Sequence, residues 1–118
     1  MPVEREVVLP VEGAAAWRLV TDQGELARWL APEVELDPVI GGAIATEQGD
    51  GRVQVGVVEE LVEGERIAFR WSDIEGGGES TVEIDLHDAE GGTRITVVET
   101  GTSALSLPGV SALAFATA

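Results

Sequence analysis

Residues 51 to 72 read GRVQVGVVEELVEGERIAFRWS, and their reading decides the fold. Valine, isoleucine and aromatic residues, which suit a pleated, half-buried surface, fill two runs, Gly51 to Val62 and Arg66 to Ser72, on either side of the turn chemistry at Glu63-Gly64. So short a link leaves no room for a crossover helix, which makes the two runs antiparallel. Alternation in the second run groups Ile67, Phe69 and Trp71 on one face and Ala68, Arg70 and Ser72 on the other.

The same texture extends outward on both sides. Downstream, Ser80 to His87 and Thr93 to Thr100 read as strands separated by the loop Asp88–Gly92; upstream, Glu33 to Asp37 and Gly42 to Gln48 do the same. The breaks are Gly41-Gly42, Asp50-Gly51, Gly76-Gly77-Gly78 and Gly91-Gly92. Before Pro32 the chain is richer in alanine. Gly13 to Val20 sets Ala16, Leu19 and Val20 within helical reach of one another, and Asp22 stands three residues ahead of Glu25 as in a capping box, which starts a second helix. That helix is expected to end near Ala31, because proline disfavours helical dihedrals in the residue before it. Ahead of both helices, Val3, Val7 and Leu9 share one side of a strand that Pro10 closes. The fold class is α+β: a strand, two short helices, then an antiparallel meander, all within a single domain spanning 1–118.

Composition narrows the chemistry. Seven basic against 22 acidic residues leave a net charge of −15 over 118 residues, a surface that repels nucleic-acid backbones and anionic lipid, so neither nucleic acid nor membrane is expected as a partner. No cysteine is present and His87 is the single histidine, which removes thiolate chemistry and Cys-ligated metals and leaves one imidazole for any catalytic triad. His87 ends a strand beside Asp88 with nothing in the spacing to make it catalytic, and reads as a solvated side chain. The carboxylates Asp73, Glu75 and Glu79 flank a glycine run without the ligand ladder of a calcium loop, and no phosphate-binding glycine motif follows a strand. No cofactor or metal is expected. The N-terminus lacks the layout of a signal peptide, which points to the cytoplasm. Residues 100–118 are uncharged, but Pro108-Gly109 interrupts them well short of the roughly 20 apolar residues a membrane span needs.

What remains is an apolar face. Val82, Ile84 and Leu86 point the same way as Ile67, Phe69 and Trp71, and the last strand aligns Ile95, Val97 and Glu99. These side chains either fill a solid core or line a space for an apolar ligand. Glu99 either takes a hydrogen-bond donor inside that face or reaches solvent at the strand end.

Taken in order, VEREVVLP, AAAWRLVTDQGELARWLAPEVELDPVIGG, GRVQVGVVEELVEGERIAFRWS, STVEIDL and GGTRITVVETG resemble bacterial homologues of the activator of the 90-kDa heat-shock protein ATPase, a family of the START-related SRPBCC superfamily. The resemblance runs from residue 3 to residue 101. It implies a helix-grip fold, in which an antiparallel sheet curls round a C-terminal helix and encloses a cavity. It also implies that Trp29 sits by the cavity mouth, that Phe69 and Trp71 line its wall, and that Glu99 is the polar group on the strand before the final helix. Function follows as three expectations: non-enzymatic binding of a small hydrophobic ligand such as a lipid or aromatic metabolite; a chaperone-associated module of the stress response; or an enzyme of the polyketide cyclase or aromatase kind.

The chain departs from the family pattern after Glu99-Thr100-Gly101, where SALSLPG precedes a short apolar stretch. Val110, Leu113, Ala114 and Thr117 fall on one face of a helix with Phe115 beside them, so Leu113 and Phe115 are expected to meet the ligand. A helix from Gly109 to Ala118 is only about 15 Å long. The expectation is a shortened C-terminal helix, and a homodimer in which each chain completes the cover of the other's sheet.

Overall fold

A computed structural model describes residues 3–49, 51–75 and 78–101. The expected C-terminal helix, with Leu113 and Phe115, and the homodimer built on it lie outside the described residues.

Strand β1 (Val3–Leu9) leads into helix α1 (Gly13–Thr21) and the single helical turn α2 (Gln23–Leu26), after which β2 (Glu33–Leu36), β3 (Ala43–Glu47), β4 (Val53–Val62), β5 (Arg66–Asp73), β6 (Glu79–Ala89) and β7 (Gly92–Gly101) follow in sequence. They form one antiparallel sheet of seven strands in the order β1-β7-β6-β5-β4-β3-β2, curved into a half-barrel. From β2 onward every strand pairs with its successor, as short glycine turns require. At the β4–β5 hairpin, for instance, Glu65 N–H closes on the Val62 carbonyl at 2.9 Å, and Gly64 supplies the positive φ of 79°. The first strand instead pairs with the last, Val7 opposite Ile95 and Leu9 opposite Thr93. Strands β1 and β2 therefore occupy opposite edges, and the helices that join them must cross one face of the sheet.

That crossing creates the core. Ala16, Leu19 and Val20 of α1 are buried, α1 packs on β6 and β7, and α2 packs on β2. The Asp22 carboxylate caps α2 by accepting the Glu25 N–H at 3.0 Å, while the Glu25 carboxylate accepts from Arg28 at 3.3 Å. The second helix is shorter than the sequence predicts: regular α-structure stops at Leu26, and residues 27–30 continue as turns held by Trp29 N–H on Leu26 O and Leu30 N–H on Leu26 O. Tightening here swings the Trp29 indole back toward α1, where its N–H donates to the Leu19 carbonyl at 2.8 Å in a buried bond.

Strand β4 carries the main irregularity. Its partners on β5 slip between Val58 and Glu60, so Glu59 is an extra, bulged residue. Before the bulge the inward residues are Gln54, Gly56 and Val58; after it the inward residue is Leu61. Gly56 sits where the two strands press together, and a Cβ there would run into the Arg70 carbonyl. The convex side is charged: Arg66 holds Asp85 at 2.7 Å, Glu60 at 3.1 Å and Glu83 at 3.2 Å. The hydrogen bonds it donates to these acids, to Asp85 foremost and then to Glu60, push its pKa further above the ordinary arginine range.

Replacing Trp29 by phenylalanine keeps an aromatic ring but leaves the buried Leu19 carbonyl without its donor. We expect Trp29→Phe to lose about 1–3 kcal/mol of stability, read from the midpoint of urea unfolding. An unchanged midpoint would show that this bond does not fix the helical crossing.

Candidate functional site

The inner face of β4 to β7 brings together most of the predicted site residues. Phe69 and Trp71 point inward from β5, 3% and 1% exposed, with their rings edge to face at a centroid separation of 5.0 Å. Phe69 lies between Val58 and Val82, Val82 is opposite Glu99, and Ile84 is opposite Val97. Ile95 lies between Leu86 and Val7. All of these except the half-buried Val7 are buried, Glu99 included at 7% exposure. Arg70 and Arg94 take the outward parity, facing Glu59 and Glu79, and Glu6, respectively. Trp29 belongs to the same hydrophobic core and also borders a shallow surface depression with Arg28 and Gln48. His87 is exposed on β6, opposite Arg94, and among the described residues no cluster of histidine and carboxylates is set to hold a metal ion.

Sequence reasoning missed three residues here. Thr46, Gln54 and Ser80 are 2%, 0% and 1% exposed on the inner face. Thr46 lies directly opposite Gln54, and Ser80 directly opposite Trp71. Thr46 Oγ1, both amide atoms of Gln54, Trp71 Nε1 and Ser80 Oγ are buried and have no hydrogen-bond partner among the described residues. Such atoms each cost roughly 1–3 kcal/mol when nothing satisfies them, so a group of them on one wall makes that wall a candidate site. The signal was present in VQVGVV: on hydrophobicity alone Val53, Val55 and Val57 belong inside, yet Val55 and Val57 are 43% and 39% exposed. Cross-strand pairing of Val58 with Phe69 fixes the opposite parity.

Beside Thr46 a groove of about 580 Å³ runs between α2 and the β2–β3 edge, with Gln23, Ala27, Val34 and Thr46 in its wall and Glu33 and Glu47 among its acidic residues. Glu33 and Glu47 are cross-strand partners. A side-chain hydrogen bond that protonated Glu47 donates to the Glu33 carboxylate, then the charge of Glu33, pushes the Glu47 carboxyl above the ordinary range.

The sheet, its order and its inner wall define a curved antiparallel α+β scaffold that solved proteins share. The crystal structure of CV1439 from Chromobacterium violaceum superposes with a TM-score of 0.75 at 24% identity, covering 97% of this chain and 88% of that one. DynU16, from the dynemicin biosynthetic locus, superposes at 0.78 and 23% identity over 98% of this chain, which spans 44% of DynU16. PFC0360w of Plasmodium falciparum, an Hsp90 activator, superposes at 0.71 and 19% identity, covering 96% and 84% of the two chains. No curated protein sequence matches the chain. Residues 11–109 match the family described as Activator of Hsp90 ATPase homolog 1-like protein, and the chain belongs to that family.

Because the folded state holds Glu47's proton more tightly than the unfolded chain does, stability contributed by this pair rises as pH falls through the raised pKa and is lost toward neutrality. Glu47→Gln is expected to raise the thermal midpoint at pH 7 and to leave it unchanged near pH 3, where Glu47 holds its proton and the repulsion is gone. Equal effects at the two pH values would dismiss the repulsion between these acids.

Proposed function

We propose that the protein binds a small hydrophobic ligand against the inner face of its sheet, with Phe69, Trp71 and Val82 as the apolar wall. The observation that carries this reading is the mixture on that wall: large apolar side chains interrupted by a few convergent buried polar groups, the usual make-up of a small-molecule site. Ile84, Ile95 and Val97 continue the wall toward β1, and Glu99 places a carboxylate at its edge. The inner face offers hydroxyls, an amide and a carboxylate but no imidazole among the described residues, which favours binding over turnover.

The test is titration with N-phenyl-1-naphthylamine, an uncharged apolar probe. Saturable binding with quenching of tryptophan emission is expected, displaced by polycyclic aromatics, and Phe69→Ala should weaken it by about tenfold or more, the worth of roughly 1.4 kcal/mol of lost contact. Binding no tighter than to a solid-cored protein of equal size would sink the proposal.

Family membership and the likeness to an Hsp90 activator support a second reading, a chaperone-associated module. On that reading, immobilised 90-kDa chaperone from a bacterium should retain the protein and its ATPase rate should rise on addition. Neither retention nor stimulation at tens of micromolar would remove it.

A further inference from the structure

The four buried polar side chains say what kind of ligand the wall accepts. This inference rests on the ligand-binding reading and goes further, to the chemistry of the ligand's polar end. Directly opposed residues on an antiparallel sheet have Cβ atoms about 4.5–5.5 Å apart. Thr46 with Gln54 and Trp71 with Ser80 are two such pairs, and Gln54 stands two residues from Gly56, the partner of Trp71 on β4. The four therefore form one polar band across β3 to β6 at the end of the apolar wall, and with strands about 4.8 Å apart a small molecule meets neighbouring members of the band rather than all four at once.

Four of their five buried, unpartnered atoms can donate, and the fifth, the Gln54 amide oxygen, can only accept. The Trp71 indole nitrogen only donates, the Gln54 amide nitrogen donates twice, and the Ser80 and Thr46 hydroxyls each hold a proton to give. An occupant bearing acceptor oxygens satisfies the donors, a hydroxyl on it can also give its proton to the Gln54 amide oxygen, and a hydrocarbon does neither. Charge then separates the acceptors. Glu99 is the diagonal neighbour of Ser80, through the Ser80–Gly101 and Val82–Glu99 pairs, and the protein carries a net charge of −15. A carboxylate, sulfate or phosphate on the ligand would have to enter against that overall negative charge. A cationic group has no lone pair to offer, so it would leave the Trp71 and Gln54 N–H groups unsatisfied.

We infer that the inner face recognises an uncharged apolar compound through its carbonyl or hydroxyl oxygens, with Gln54, Trp71, Ser80 and Thr46 as donors and Phe69 and Val82 against its body. The valines that β4 turns outward fit this assignment, since hydrophobicity alone would have put them where Gln54 now stands.

Three naphthalenes of one body and nearly one size make the test: 2-acetylnaphthalene, 2-ethylnaphthalene and 2-naphthoate, each displacing N-phenyl-1-naphthylamine. The acetyl compound is expected to bind about tenfold tighter than either of the others, the worth of one well-made hydrogen bond. In Gln54→Leu that preference should shrink to about twofold, and the ligand-free variant should melt at a higher temperature than the parent because a buried amide without partners has gone. Ser80→Ala should shrink it in the same direction if the leucine variant fails to fold. Equal binding of the acetyl and ethyl compounds to a protein that still takes up the naphthylamine would overturn this inference alone, with water as the occupant of the patch. Tightest binding of the naphthoate would overturn it in favour of an anionic ligand. No uptake of any of the four compounds would bring down the ligand-binding reading with it.

Discussion

The pairing of the first strand with the last constrains everything else in the molecule. With β1 held against β7 and the meander running away from it, the next strand in sequence lies at the far edge. The chain between them must cross the sheet, and it crosses as α1 and α2. Burial of Ala16, Leu19 and Val20 follows from that path, as does the position of Trp29, whose bond to Leu19 ties the second half of the crossing to the first. The helices are short because their task is to cover, and a longer α2 would carry Trp29 past the carbonyl that holds it.

Strand β4 shows how pairing overrides composition. A run containing Val53, Val55 and Val57 could bury its valines, but Val58 is committed to Phe69 and Leu61 to Ile67, and the bulge at Glu59 reconciles the two parities. Val53, Val55 and Val57 face outward and Gln54 faces in. Burying an amide while half-exposing apolar side chains is unfavourable on transfer free energies. The arrangement is intelligible if the amide has an occupant to bind.

Much of this was legible beforehand. Strand alternation placed Phe69, Trp71, Val82, Ile84, Ile95 and Val97 on one face because consecutive turn glycines left only antiparallel neighbours, and the family resemblance gave the curvature that alternation cannot. The Asp22–Glu25 cap was likewise visible as a spacing. Hidden were features decided by partners remote in sequence: the early end of regular helix at Leu26, and the inward turn of Gln54. Thr46 and Ser80 were missed for a simpler reason, since small hydroxyl residues in a strand read as neutral filler until their neighbours are known.

The edge strand β2 has only four residues, EVEL, and presents Glu33 and Glu35 as exposed side chains with Glu47 beside them. An open strand edge is a template on which another extended chain can dock, the first step toward sheet-to-sheet aggregation. Shortness limits the number of backbone groups on offer, and clustered carboxylates make the approach of a second, equally acidic edge unfavourable. The mutual repulsion of Glu33 and Glu47 thus costs the fold a little and disfavours edge-to-edge pairing, while Gln23 of α2 already takes the Leu36 N–H at 3.1 Å.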